Sequence, residues 1–360
     1  MDSQTIRLLE QGVARREMQK RQHPLRVLFW ECTLRCNLRC RHCGSACLPE
    51  EKRRDMPFGD FASVLDSVAR HTDPNYVDVY TVGGEPLVRP DLLDCGREIR
   101  RRGFHWGFVT NGMLLDRDML ARCIEAGLEA ISVSLDGLED SHNWMRGHGD
   151  SFRRALQAIH LLTYTKGIVW DVITCVNRRN ISELPRMREM LRRMGVEHWR
   201  IATVFPSGRA KDDADMRLTT EEYRRVLDFV AECRREPQGM DTYYSCEGFL
   251  GDYEGRVRNH PYRCHAGLTV ASVLADGSIS GCLSVRSRFD QGNIYRDDFW
   301  DVWQNRFQPF RDRSWMRQDA PCADCKVFRY CEGNGFHLRD DDGTLTLCNY
   351  RLLNGECGEA

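Results

Sequence analysis

The stretch VLFWECTLRCNLRCRHC, residues 27–43, runs an apolar strand directly into three thiols spaced C-x3-C-x2-C, at Cys36, Cys40 and Cys43. Similar short apolar runs recur at 77–82, 104–109, 130–135, 169–176 and 198–204, and helical patterns fill the gaps near 58–70, 91–102, 116–126, 152–165 and 183–194. Six β/α units in succession predict an α/β fold with a parallel sheet, doubly wound or closed toward a barrel. The three thiols then sit at the C-terminal end of a strand, the face on which such folds place their chemistry.

Outside this region the rhythm changes. Residues 4–22 read as a basic amphipathic helix with Ile6, Leu9 and Val13 on one face, a lid packed on the body rather than a membrane anchor. A further helix at 219–236 precedes a Gly- and Tyr-rich stretch, 238–262, without a clear period. Asp276-Gly277 between 269–275 and 278–283 predicts a hairpin with a two-residue type I′ turn. The last 75 residues are loop-rich and expected to need staples. The expected divisions are an N-terminal helical extension at 1–25, a first domain at 26–215, a bridging helix at 216–239 and a cysteine-rich domain at 240–360.

Composition narrows the function. The 360 residues contain 17 cysteines, too few for a disulfide scaffold of this length and odd in number. Lys+Arg is 52 against Asp+Glu 53, so no basic field attracts nucleic acid. Five of those cations are Lys and 47 are Arg, spread evenly and balanced by acids, which reads as codon bias rather than phosphate recognition. No apolar run approaches a membrane span, and the first residues lack the apolar core of a signal peptide. A cytoplasmic location with reduced thiols is expected, and clustered cysteines there point to metal.

Three thiolates can fill three corners of a cubane iron–sulfur cluster and leave the fourth iron open, as a catalytic metal site requires. Zinc prefers paired C-x2-C knuckles and a fourth ligand, neither of which is present near Cys43. In the tail, Cys322, Cys325, Cys331 and Cys348 make a complete four-thiolate set, structural or electron-transferring, which zinc would satisfy equally well.

C-x3-C-x2-C after the first strand resembles the radical S-adenosylmethionine (SAM) superfamily, and the resemblance extends along the whole β/α half. Gly83-Gly84-Glu85-Pro86 is similar to the family's GGE motif, whose backbone and Glu hold the SAM amino group. Thr110-Asn111-Gly112 resembles the TNG turn, and the segment from Ser132 through Ser134 to Asp136-Gly137 resembles the one that contacts the SAM ribose and carboxylate. His142 and Arg146 follow where related enzymes carry an Arg near that carboxylate, and the stretch Phe205-Pro206 to Arg209-Ala210 is similar to the adenine-side loop. The resemblance implies a partial (β/α)6 TIM-like barrel in which Cys36, Cys40 and Cys43 hold a [4Fe-4S] cluster with an open iron site. SAM chelates that iron, and its one-electron reduction gives a 5′-deoxyadenosyl radical that abstracts a substrate hydrogen. No catalytic residue beyond the cluster is assigned.

The tail resembles the SPASM domain of radical SAM enzymes that mature peptides and proteins, in which Cys322, Cys325, Cys331 and Cys348 would ligate an auxiliary [4Fe-4S] cluster. SPASM domains usually place another cysteine four residues after Cys331, where this chain has Gly335. A second, proximal auxiliary cluster is therefore expected to have altered ligation: Cys264, Cys282 and Cys246, with His337 or Cys357 as the candidate fourth group. Sulfatase-maturing relatives carry a base directly after the cysteine equivalent to Cys282. Leu283 stands there, which argues against formylglycine formation. The signature Cys331-Glu-Gly-Asn-Gly-x-His and the length look closest to the radical SAM enzyme of a putative rSAM/lipoprotein system in anaerobic bacteria.

The implied partners are a peptide or protein substrate, a lipoprotein encoded nearby among the candidates, and an electron donor such as flavodoxin or ferredoxin. Competing readings are an iron–sulfur electron-transfer or scaffold protein without SAM cleavage, a zinc-binding interaction protein, and a radical SAM enzyme acting on a small molecule. Cys32, Cys47, Cys95, Cys123, Cys175 and Cys233 read as apolar filler. His42 reads as cover for the cluster, and the run 340–343 as a solvated turn rather than a calcium loop.

Overall fold

A computed structural model describes residues 1–51, 54–236, 239–245, 248–318, 320–340 and 342–356. Cys246, Cys357 and Asp341 lie outside the described residues. Six parallel strands appear where the apolar runs fall: β1 (Val27–Thr33), β2 (Asp78–Gly83), β3 (His105–Thr110), β4 (Ala130–Ser134), β5 (Val169–Val176) and β6 (His198–Thr203). A seventh, β7 (Asp241–Tyr244), pairs parallel to β6 inside the stretch that shows no period. The hairpin β8 (Val270–Val273) and β9 (Ser278–Ser280) and the short β10 (Gly292–Asn293) complete one ten-stranded sheet, in the order β10-β9-β8-β1-β2-β3-β4-β5-β6-β7. The mixed α/β architecture is the one expected from the alternation, with β8 running parallel to β1.

Helices α1 (Ser3–Gln22), α2 (Phe58–Ala69), α3 (Leu92–Arg101), α4 (Arg117–Glu125), α5 (Glu139–Arg146), α6 (Ser151–Thr163), α7 (Leu184–Met194) and α8 (Thr220–Arg235) accompany the parallel strands. The C-terminal part adds α9 (Phe299–Asn305), α10 (Gln308–Arg311), α11 (Ala320–Ala323), α12 (Phe328–Cys331) and α13 (Asn349–Leu353). Helix α5 escapes the hydrophobic pattern because Ser141, His142 and Arg146 share its buried face with Met145. Helix α8 begins with a full capping box: the Glu222 amide donates to the Thr219 hydroxyl, and Glu222 accepts from the Thr219 amide.

The hairpin turn differs from the expected type I′. The Leu274 amide donates to Ser278 O at 2.9 Å and the Gly277 amide to Leu274 O at 2.9 Å, so three residues make the loop. Gly277 takes φ +84° and Asp276 is not left-handed. This is a type I turn followed by a glycine bulge, whereas type I′ needs two left-handed residues.

The core is continuous across both halves. Trp30 stacks on Phe61 at 4.4 Å, and Phe289, Phe307, Phe310 and Phe336 form an aromatic cluster under the hairpin. That cluster gives the loop-rich tail more apolar support than its sequence suggests. Helix α1 docks on the same tail by apolar and polar contacts, with Leu9 buried in a cluster with Phe249, Tyr262, Val327 and Cys331. Arg16 donates to Tyr330 O at 2.8 Å and Arg329 O at 2.6 Å and pairs with Glu332 at 3.0 Å, while Ile6 stays exposed.

Gly96 sits in the middle of α3 because the Trp106 ring lies against it. A Cβ there would stand 2.3 Å from the ring. Alanine is the better helix former by about 1 kcal/mol. Overpacking by one methyl against a fixed ring costs about 1–3 kcal/mol. Gly96→Ala is therefore expected to lower stability on balance, checked by the urea midpoint at unchanged m-value.

Candidate functional site

Strand β1 ends in the loop that carries the three thiols, and backbone bonds hold that loop from both sides. The Cys36 amide donates to Leu48 O, Arg41 to Met145 O at 2.8 Å and Arg209 to Cys43 O at 3.1 Å. From β2, the Gly84 amide donates to Thr33 O at 2.8 Å and the Glu85 amide to Arg35 O at 3.0 Å. A Cβ on Gly84 would stand 2.0 Å from Arg35 O, so only glycine lets the two backbones approach this closely. The Arg209 side chain adds bonds to Cys40 O at 2.7 Å and Cys47 O at 3.1 Å. It clamps the cysteine loop and also lines the cavity that the loop faces.

Glu85 is buried, and three protein donors face its carboxyl: Thr110 Oγ1 at 2.8 Å and the Leu87 amide at 3.2 Å on Oε1, and the Asn111 amide at 2.8 Å on Oε2. Burial pushes this carboxyl up to about 7 against those bonds. It ties the end of β2 to the end of β3, and what the turn leaves exposed to a ligand is mainly backbone. Pro86 is buried and opens the short 3-10 turn Pro86–Val88, outside the cavity wall. The Asn111 side-chain Nδ2 donates to Asn37 Oδ1 at 2.8 Å and lies 4.0 Å from Cys36 Sγ.

Asp136 is fully buried and also stands behind the cavity wall rather than in it. It accepts from the Cys175 amide at 2.8 Å and pairs with Arg146. Burial disfavours its charge, but Arg146, His42, His142 and the Cys175 amide outweigh that and hold the carboxyl below its usual range. Arg146 in turn places Nη1 3.8 Å from Cys40 Sγ, and its buried Nε has no hydrogen-bond partner among the described residues. The Asp136 carboxylate orients Arg146, and Arg146 faces the cavity.

The loop, the Gly83–Glu85 turn, Thr110, Asn111, Ser134, Arg146 and Pro206 wall one cavity of about 650 Å³, within the range of cofactor sites. Its opposite wall comes from the C-terminal half and includes Leu283, Arg286, Phe336 and His337. Arg286 spans the two halves, paired with buried Glu31 and donating to Ser45 Oγ at 3.1 Å. Three thiols on the wall of a cofactor-sized cavity suit a cluster with an open position. Among the described residues no three His, Cys, Asp or Glu groups converge as tightly as a single ion needs. A second cavity of about 620 Å³ contains no thiol and is lined by Ser132, Asp171, Arg200 and Tyr243 among others.

Cys47, read as filler, also lines the thiol cavity, with its Sγ 4.0 Å from Ser45 O. The neighbouring Cys47 thiol comes first among the causes that hold Cys43 below the ordinary thiol value. The remaining filler assignments fit their places: Cys32, Cys95, Cys123 and Cys233 are buried, and Cys175 is half-buried.

In the tail the four-thiol set is gathered. Burial raises the Cys331 thiol well above its usual value, and the charges of Cys348, Cys322 and Cys325 add to the shift. Burial likewise pushes Cys282 up to about 11, and the nearby Cys264 adds to the shift. Gly335 stands where a further cysteine was expected, and a Cβ there would lie 2.8 Å from His337 Nδ1. The imidazole thus fills the space toward which that side chain would point. Its Nε2 is buried without a hydrogen-bond partner among the described residues, and its ring meets Phe205 edge-on at 4.9 Å.

Residues 30–191 match the Radical SAM superfamily, and residues 264–326 match the SPASM iron–sulfur cluster-binding domain, a span that stops short of Cys331 and Cys348. The AdoMet-dependent heme synthase of Methanosarcina barkeri is 27% identical over 327 residues, covering 86% of this chain and 90% of its own. The mycofactocin maturase MftC of Mycolicibacterium smegmatis is 28% identical over 311 residues, covering 85% and 76%. Streptococcus suis SuiB bound to its precursor peptide SuiA shares the fold at TM-score 0.70 and 15% identity, over 94% of this chain and 79% of SuiB. The two matched domains imply [4Fe-4S] clusters and SAM binding. They follow one another in the order of the two cysteine sets: the chain belongs to the radical SAM superfamily and carries a SPASM domain.

Proposed function

We propose that this radical SAM enzyme modifies a peptide or protein side chain, with residues 26–215 as the SAM-cleaving barrel and 240–360 as the auxiliary-cluster domain. Residues 1–25 would be a docked extension and 216–239 the bridge. The observation that carries the reading is the shared cavity, where Cys36, Cys40 and Cys43 face Leu283 and Phe336 of the C-terminal half. Bound together, a [4Fe-4S] cluster and SAM supply reductive cleavage of the sulfonium and hydrogen abstraction from the substrate.

The chain's own residues bind, orient and exclude. The three thiols hold the iron, the Gly83-Gly84 backbone admits the ligand amino group, and Arg146 presents a cation that Asp136 aims. Ser134, Thr110, Asn111 and Pro206 complete the SAM side. Phe205 and Phe336 keep water from the reacting centre. Leu283 gives that centre an apolar neighbour instead of a proton acceptor, which supports chemistry other than formylglycine formation. Cys322, Cys325, Cys331 and Cys348 would hold one auxiliary cluster. Cys264 and Cys282 would hold a second, with Cys246 as a third ligand and His337 in place of the missing cysteine. The direction of the Gly335 Cβ supports that last assignment. The electron donor would be a flavodoxin or ferredoxin, and a lipoprotein encoded nearby is the first substrate to try.

A second reading is supported by the heme synthase relative: the same barrel and SPASM arrangement acting on a small molecule. The two readings separate when deuterium uptake into carbon-5′ of 5′-deoxyadenosine is followed with a deuterated peptide and with a deuterated iron porphyrin as the substrate offered.

Replacing Cys36, Cys40 or Cys43 by Ala is expected to abolish 5′-deoxyadenosine release from SAM and dithionite; release at the wild-type rate removes the reading. Cys322→Ala and Cys325→Ala should keep uncoupled SAM cleavage and lose substrate product, read by mass spectrometry. Anaerobically reconstituted protein should carry roughly twelve irons if both auxiliary clusters form and roughly eight if one does. His337→Ala should lower the higher count toward the lower and His337→Cys should restore it.

A further inference from the structure

The second cavity, of about 620 Å³, is nearly as large as the one the thiols face, and nothing in the SAM chemistry uses it. The two lie in line along the strands. Tyr80 and Ser132 wall the second cavity, while Val82 and Ser134, two residues further along the same strands, wall the thiol cavity. Side chains two apart share one face of a strand, so the second cavity occupies the end of the barrel interior away from the cysteine loop. Branched apolar side chains normally fill a barrel there. Here the layer is polar, and a glycine widens it: a Cβ on Gly107 of β3 would stand 2.8 Å from the Tyr80 ring. The facing wall, which includes Pro261 and Arg263, is braced from outside by α1, where a Cβ on Gly12 would stand 2.6 Å from Pro261.

One ion pair at the strand wall is fully built. Asp171 accepts from Ser132 Oγ, from Arg200 Nη2 at 3.3 Å and from Tyr243 OH at 3.3 Å, and it pairs with Arg200 Nε at 2.9 Å. Four donors use up the lone pairs of that carboxylate. Arg200 Nη2 also donates to Ser132 Oγ at 3.0 Å, but Nη1 of the same guanidinium has no hydrogen-bond partner among the described residues. The Tyr80 hydroxyl has none either, and both residues line the cavity. Arg258 and Arg263 add two more guanidinium groups to the wall, while its other acid, Asp241, is held by Arg234 at 3.5 Å. Arg200 Nη1 can only donate and the Tyr80 hydroxyl can donate, so the open positions suit an acceptor that carries negative charge.

We propose that this cavity binds a small planar molecule through an anionic group, a carboxylate or a phosphate, set on Arg200 Nη1 and the Tyr80 hydroxyl. Its ring would lie among Trp170, Tyr243 and Tyr244, which supply the apolar part of the wall. Asp171 and Ser132 position Arg200 and leave the ligand to it. The site needs neither iron nor SAM, so it is independent of the proposed function.

The test is isothermal titration of the full chain at fixed ionic strength with benzoate, with phenyl phosphate, and with benzamide as the neutral match for benzoate. One of the anions should bind one to one, about tenfold or more tighter than benzamide, and the tighter anion names the group. Saturating SAM should leave that affinity unchanged. Tyr80→Phe should weaken binding about two- to tenfold. Arg200→Gln combined with Asp171→Asn, which removes both charges together, should weaken it about ten- to hundredfold. Tyr80→Phe keeps the ion pair and carries the test alone if the doubled variant does not fold. No saturable binding of either anion, or benzamide bound as tightly, overturns the proposal. Wild-type affinity in a folded variant does the same, as does competition by SAM, which would put the ligand in the thiol cavity.

Discussion

Strand β1 is hydrogen-bonded along both edges, to β2 on one side and to β8 on the other, both parallel. The site depends on that double pairing. β2 brings the Gly83-Gly84 turn against the backbone of Thr33 and Arg35, and β8 leads through the hairpin to Cys282 and Leu283. The thiol loop therefore leaves a strand that can neither slip nor tilt without breaking two ladders at once. The two walls of the cavity, one from each half of the chain, are set by a single register.

Charge inside this frame is arranged in pairs rather than avoided. Arg146 with Asp136, Arg286 with Glu31 and Arg258 with Glu254 each combine a carboxylate that is all but fully buried with an arginine that bridges to something else. Removing one member of such a pair typically costs about 3–5 kcal/mol, because the survivor is left uncompensated. The pairs thus hold their side chains in one orientation. For Arg146 that orientation points at Cys40; for Arg286 it joins the strand that launches the cysteine loop to the loop after Cys282.

The amino-acid sequence showed the chemistry more clearly than the geometry. Cys36, Cys40, Cys43, the GGEP and TNG turns and the tail cysteines all stand in strings that carry their own meaning, and the β1–β6 alternation is plain because those strands are apolar. What stayed hidden has a polar interior. Helix α5 buries Ser141, His142 and Arg146, and β7 buries Thr242 and Tyr244, so neither shows the hydrophobic period on which such reading relies. The hairpin loop was misjudged by one residue, since Asp-Gly serves a type I turn with a bulge as readily as a type I′ turn. Asp136 and Cys47 could not be placed from the string at all. Whether a side chain reaches the ligand or stands one layer behind it depends on packing that sequence spacing does not encode.

The clasp between α1 and the tail joins residues 314 apart in sequence. At ordinary synthesis rates of about 5–20 residues per second, roughly 15–60 s separate the appearance of Arg16 from that of Tyr330. Throughout that interval α1 lacks the carbonyls of residues 329 and 330, and until residues 270–273 are made β1 lacks its β8 neighbour. The segment bearing Cys331 is thus secured by a partner that was made first and waited longest. A chain cut short before residue 270 would leave one edge of β1, and so one wall of the cavity, without its partner.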